Sequence, residues 1–418
     1  MYYDPQHFVH EQLPNGIDFY THTHASSVCF MDIFIPVGSA HATAHGPVPP
    51  GSPHFLEHAL FLQSKNHAEA HSFDLDLALR GCERTGTTYA FMTRYGMACP
   101  LSELTFASNA LFETVYEPLF SEECLAPERG VVQNERDREK KYFPGRNRIH
   151  QYVNTEFRHS SWVTLQQIFG TNADLKQYTP EKLAELHQLF NFHSGTKVVA
   201  VGKSDFSELK KLIGSIRTHR TNFPQHFTPS HWVDPAFRYV ELEGVKHPTY
   251  ISSWMRPALP NDEFVALMFL LKYLVNHVHG PLYDEFRKRK GWTYGISHFC
   301  DASDVETIYG FDLMLQDKEQ IEEVRKTLIP LARKSMEDQE RVERELRRRL
   351  AFEAFSYQTS DDIISGARSD VLSGDPIRTY ASWKKSLARL KDPEWRISQF
   401  ETLFSEDSFG DLALMPKE

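Results

Sequence analysis

Residues 217–235 form a polar stretch near mid-chain, with Pro224, Pro229 and Pro235 and little periodicity. Neither a helix nor a strand propagates through such a run, so it reads as a linker. It splits 418 residues into two lengths of about 200, each large enough to fold around its own core. The expected organisation is a domain over 1–220, a linker over 221–235 and a second domain over 236–418.

Hydrophobic patterning gives both halves a similar order of elements. In the first, Leu13-Pro14-Asn15-Gly16 supplies hairpin chemistry and 28–37 has strand-like density in Val, Ile and Phe. A Gly- and Pro-rich loop follows at 41–51, then a helix that Ser52 can cap, with Pro53 in its opening turn. Further helices are expected near 68–80, 102–119, 122–142 and 181–190, with a strand at 196–201. In the second half a strand near 239–242, a long apolar helix near 261–277, two strands within 293–315, helices to about 403 and a last strand at 411–415 repeat that order. The expected class is α+β, each domain a mixed, mostly antiparallel sheet covered by helices. No residue-level repeat is visible, so the kinship of the halves rests on element order. The charge-dense segment 317–355 reads as a pair of solvated helices laced by i,i+4 ion pairs.

The formal charge of -10 argues against general nucleic-acid binding, which needs a basic footprint, and suits a basic or neutral peptide. Five cysteines without C-x-x-C spacing suggest neither a disulfide framework nor a thiolate metal site. The first residues lack a basic segment followed by an apolar one, so a cytoplasmic location is expected. The longest apolar run, 264–275, is broken by Lys272 and is too short to span a bilayer.

Chemistry concentrates in His54-Phe55-Leu56-Glu57-His58. Two histidines four apart on a helix project from one face, so both imidazoles can reach a single ion. Glu57 can lie beside that ion without ligating it and serve as a base. With 21 histidines, an accidental H-x-x-E-H is expected about 0.1 times, so further support is needed. Catalytic zinc takes three protein ligands and keeps an open position. Glu135 is the candidate third ligand. The helix expected at 122–142 carries Glu128 and Glu135 on one side, two turns apart, so one can bind metal while the other orients a histidine.

At these residues the chain resembles the pitrilysin and insulysin-type zinc metallopeptidases, which include the mitochondrial processing peptidases. In that family the inverted motif is followed after 76 residues by the glutamate ligand, and 76 residues separate His58 from Glu135 here. The resemblance places Glu128 behind a ligand histidine. It also matches Arg287-Lys288-Arg289-Lys290-Gly291-Trp292-Thr293-Tyr294 to the signature of the non-metal domain, where Arg287 and Tyr294 would contact the substrate backbone and the developing oxyanion.

The resemblance further implies Zn²⁺ as cofactor and hydrolysis of short or unfolded peptides bound in extended form. It implies two related domains forming half of a clam-shell chamber, completed in a homodimer or a heterodimer with a related subunit. One departure stands out. The family's Asn-Ala pair on the edge strand that holds substrate is replaced by Thr85 and Gly86, although Thr88, Thr93 and Tyr95 keep the surrounding pattern. Thr85, Gly86 and Thr88 are therefore the candidate substrate contacts. His67 and His71, four apart, and the loop residues His41 and His45 read as surface or loop histidines. The rival from another class is a non-catalytic or partner-dependent subunit, against which every expected metal ligand is present.

Overall fold

The computed structural model describes residues 8–42, 48–69, 72–142, 158–159, 168–220, 231–232, 236–303, 305–353, 358–374, 377 and 380–417. The chain divides into two compact units. The first draws on Met1–Lys140, Ser161–His226 and Ser356–Leu372, the second on Lys141–Ser160, Phe227–Phe355 and Ser373–Glu418. Apart from His231 and Trp232, residues 221–235 of the expected linker lie outside the described residues.

The first unit holds strands β1 (Val9–Gln12), β2 (Asp18–Thr23), β3 (Val28–Ile35), β4 (Glu83–Thr88), β5 (Thr93–Pro100) and β6 (Lys197–Gly202). They form one sheet in the order β1-β2-β6-β3-β5-β4. All neighbours are antiparallel except β2 and β6. Its helices are α1 (Ser52–Leu60), α2 (Ser72–Leu79), α3 (Leu104–Tyr116), α4 (Glu122–Tyr142), α5 (Asn172–Lys176), α6 (Pro180–Asn191) and α7 (Ser207–Ser215). The core runs from Met31 and Ile33 on β3 through Phe55 and Leu56 on α1 to Leu111 on α3 and Val198 on β6.

The second unit has β7 (Arg238–Leu242), β8 (Thr249–Pro257), β9 (Thr293–Ala302), β10 (Glu306–Leu315) and β11 (Phe409–Pro416), with helix α8 (Asn261–Val275) after β8. The sheet order is β9-β10-β8-β11-β7, antiparallel except between β11 and β7. Strand for strand this matches β4-β5-β3-β6-β2, so the halves are related domains of an α+β fold. Helices α9 (Ile321–Ser335) and α10 (Gln339–Glu353) occupy the charge-dense segment. Arg344–Glu340 and Arg333–Glu337 pair at i,i+4, while Val324, Leu328, Val342 and Leu346 turn inward.

Three details differ from the sequence reading. Helix α11 (Ser360–Leu372) falls in the first unit, although the division at 236 assigns it to the second. It packs on β3 and β6, buries Ile363, Ile364, Ala367 and Val371, and bonds Arg368 to Asp32. Ser52 does not cap α1: its hydroxyl donates to Pro49 O, and Gly51 occupies the cap position at φ 82°. A side chain at 51 would be strained and would run into the backbone of Phe169 and Gly170. Strand β8, the centre of the second sheet, has no counterpart in the sequence reading. Two more helices are α12 (Tyr380–Ala388) and α13 (Pro393–Leu403).

Candidate metal centre

Helix α1 buries Phe55, Leu56, Ala59 and Leu60 against the sheet and the surrounding helices. That anchored ridge fixes where the alternate face points, and His54 and His58 lie on it one turn apart, ring centroids 4.7 Å from each other. Phe169 meets His54 edge-on at 5.0 Å. Tyr178 stacks on Phe55 at 5.5 Å and donates to Pro50 O at 2.6 Å, bracing the start of α1.

Helix α4 brings the carboxylates. It is held by Leu125 and Val132 in the core, and by Arg129 and Arg136, which donate to the carbonyls of Leu175 and Tyr178 and of Gly170. Glu135 Oε2 then lies 3.7 Å from His54 Nε2 and 3.5 Å from His58 Nε2. Ligands at opposite ends of a tetrahedral edge around zinc sit about 3.3 Å apart, so these separations fit a shared ion after small adjustment. Among the described residues, His54, His58 and Glu135 form a metal-capable group with ligand atoms within 4.8 Å of one another. Two turns earlier on α4, Glu128 accepts from His58 Nδ1–H at 2.7 Å. That bond leaves Nε2 as the metal-facing nitrogen.

The donor set suits a cation. Burial, reinforced by the neighbouring His58, lowers His54 to about 4 against the pull of Glu135, so its imidazole is neutral. Burial also pulls on His58, but the bonds to Glu128 and Glu135 and the charge of Glu57 outweigh it and push it up to about 10. The bond from His58 holds Glu135 below its usual range despite partial burial. Three carboxylates thus converge on two imidazoles, and His58 carries a proton where a metal could sit.

Glu57 points to the other side of the cluster. Its carboxylate accepts from Thr88 Oγ1 at 2.9 Å, and burial raises its pKa against the opposing pull of His58, Thr88 and Arg94. Gly86 faces the same carboxylate: a Cβ there would lie 2.2 Å from Glu57 Oε1 and 2.8 Å from the Phe61 ring. Thr88 and Gly86 therefore share the α1 side of β4, while Thr85 lies on the opposite side and bonds Arg94. Arg94 belongs to a buried network with Asp32 and Arg368 that the sequence reading did not identify. Its signal was present, since Asp32 and Arg94 are opposite charges inside two otherwise apolar strands.

Arg287 and Tyr294 lie in the second unit. Arg287 is on the wide-turn helix Asp284–Arg289, Tyr294 is 76% exposed on β9, and the guanidinium sits 5.2 Å from the ring centroid. His67 is engaged by Glu113 and Asp76 and stacks on Phe73, and His41 Nδ1 meets the Gly38 amide. His45 and His71 lie outside the described residues. All five cysteines are free thiols. No helix among the described residues is long and apolar enough to cross a membrane.

Two family descriptions match the chain. Residues 19–164 match Insulinase (Peptidase family M16), and residues 177–390 match Peptidase M16 inactive domain. No curated protein shows significant similarity. Among solved structures, a protease from Helicobacter pylori is similar over 99% of this chain and 100% of its own, with TM-score 0.81 and 19% identity. A peptidase M16 inactive domain from Pseudomonas fluorescens covers 99% and 98%, with TM-score 0.76 and 11% identity. The periplasmic protease PqqL from Escherichia coli matches 99% of this chain at TM-score 0.75 and 14% identity, and 48% of its own length is covered.

Proposed function

This chain belongs to the M16 (insulinase) peptidase family, and from that premise we propose that it is a zinc metalloendopeptidase acting on short or unfolded peptides bound in extended form. The observation that carries the reading is the convergence of His54, His58 and Glu135 beside a buried carboxylate, Glu57, that none of them displaces.

His54, His58 and Glu135 would hold the ion, with Glu128 orienting His58. Bound zinc supplies a Lewis acid that polarises the scissile carbonyl and makes a water nucleophilic near neutral pH. Glu57 takes the proton of the attacking water and passes it to the departing amine nitrogen as the C–N bond breaks. Its raised pKa brings donation and acceptance closer to balance. Thr88 keeps that carboxylate in one orientation between the two transfers. Strand β4 ends the first sheet, so its outer backbone groups can pair with an extended peptide as an added strand. Arg287 and Tyr294 are assigned to the substrate backbone and the oxyanion, through donors beyond the metal.

The chain spans about half of PqqL. A second copy of this chain, or a related subunit, would complete an enclosing chamber, and we place the protein in the cytoplasm. The second reading is a subunit that cleaves only with its partner, favoured by the match of 177–390 to an inactive domain.

The deciding experiment compares cleavage of an unstructured peptide library by the zinc-loaded native chain and by Glu57→Gln. The variant is expected to lose about 10²–10⁴-fold in rate while keeping its zinc. Equal cleavage by both removes Glu57 as the base, and cleavage by neither supports the partner-dependent reading.

A further inference from the structure

Helix α1 ends at its cap residue, Phe61, and the last carbonyls of a helix have no N–H of their own helix to accept from. Arg84 of β4 supplies the donor, Nη2 to Phe61 O at 2.7 Å. The same guanidinium lies over the Phe61 ring, 4.9 Å from its centroid, so one side chain grips both the backbone and the ring of one residue. Its other contacts run to two further helices. Nε donates to Asp74 on α2 at 2.9 Å, Nη1 donates to Thr114 on α3 at 3.2 Å, and the group also lies over Phe73 of α2 at 4.5 Å. The Arg84 side chain is 4% exposed, whereas that of Asp74 is half exposed.

Phe61 in turn borders the proposed reaction site. It stands four residues after Glu57, on the same face of α1. Both side chains close on Gly86, where a Cβ would lie 2.2 Å from Glu57 Oε1 and 2.8 Å from the Phe61 ring. The ring also stacks on Tyr95 of β5 at 6.3 Å. Arg84 and Gly86 are alternate residues of β4 and share its α1 side. The bond from Arg84 to Phe61 therefore ties the helix that carries the base to the edge strand proposed to receive the peptide. Thr114 and Phe73 serve packing; the two contacts with Phe61 fix how far Glu57 stands from β4.

We propose that Arg84 is a positioning residue for peptide hydrolysis: through Phe61 it holds Glu57 in register with β4, along which the peptide lies. This rests on the peptidase reading above. A misplacement of about 1 Å between reacting groups costs up to about 10²-fold in rate. The outer backbone groups of β4 that pair with the peptide do not depend on Arg84, so its loss falls on kcat and not on KM.

The test follows kcat and KM of the zinc-loaded full chain on the library peptide it cuts fastest, beside hydrogen exchange read by mass spectrometry. Arg84→Met is expected to lower kcat about 100-fold, with KM within about twofold of native and zinc content unchanged. Arg84→Lys keeps the charge over Phe61 but not the fork, and should recover about tenfold of that loss. Asp74→Ala, at a half-exposed position, should lower kcat about threefold. Ile213→Ala, a fully buried truncation on α7, destabilises the same core and should leave kcat as it was. In Arg84→Met, exchange should quicken more over residues 57–63 than over α6. A kcat that falls no further in Arg84→Met than in Ile213→Ala, a fall matched by lost zinc, or a KM that rises with kcat held overturns the proposal. So does an Arg84→Lys chain as fast as the native one, which decides the matter where Arg84→Met fails to fold. A native chain that cleaves nothing sinks the peptidase reading; exchange then still reads the grip on Phe61, and equal quickening over both segments overturns that grip as well.

Discussion

In the first unit the helix after the central strand reads Ser-Pro-His-Phe-Leu-Glu-His-Ala-Leu and turns two imidazoles toward Glu135 of α4 and a carboxylate, Glu57, toward Thr88 of β4. In the second, the helix in the same place reads Asn-Asp-Glu-Phe-Val-Ala-Leu-Met-Phe-Leu-Leu-Lys-Tyr-Leu-Val and buries Phe264, Val265, Leu267, Leu270, Leu271 and Leu274. The sheets beneath them have the same strand order and the same single parallel pair. One architecture thus carries two kinds of helix. Where polar residues occupy α1, the left-handed turn at Gly51, α4 and the 169–178 segment hold them in place. Where apolar residues occupy α8, the helix serves the core.

The comparison breaks if substitutions around α1 and within α8 behave alike. Glu128→Gln replaces the charged acceptor that orients His58 with a weaker neutral one and should cost about 10–100-fold in metal affinity or activity, read by competition with a chelator and by peptide cleavage. Gly86→Ala sharpens the picture, because it moves toward the residue the family usually has there. In this chain the added methyl pushes against Glu57 and Phe61, so kcat/KM should fall about tenfold while the denaturation midpoint hardly moves. Unchanged kinetics would mean that Glu57 has room to spare. The smallest effect on the site belongs to the second helix. Leu270→Ala, at a fully buried position, should destabilise the protein by about 2–5 kcal/mol in denaturant titrations and leave the zinc content as it was.

Much of the site is legible in the sequence because its geometry is local. The i,i+4 spacing of His54 and His58 and the seven-residue spacing of Glu128 and Glu135 fix which face each side chain shares before any tertiary contact is known. Other features depend on contacts between distant segments. Strand β8 shows no alternation because both of its faces are buried, and Ser252 and Ser253 interrupt its apolar run. Helix α11 belongs to the first unit through Arg368 meeting Asp32 across 336 residues, a pairing that no local pattern encodes. The role of Gly86 is invisible in the same way, since it is set by a carboxylate from another element.

The proposed difference between the two units is a metal site in the first, where His54, His58 and Glu135 converge. Zinc content per chain, measured by plasma mass spectrometry on the native protein and on Glu135→Gln after dialysis against a weak chelator, tests this most directly. The expected result is one zinc per native chain and close to none in the variant. A native protein without zinc, or a variant that retains as much as the native chain, would contradict it.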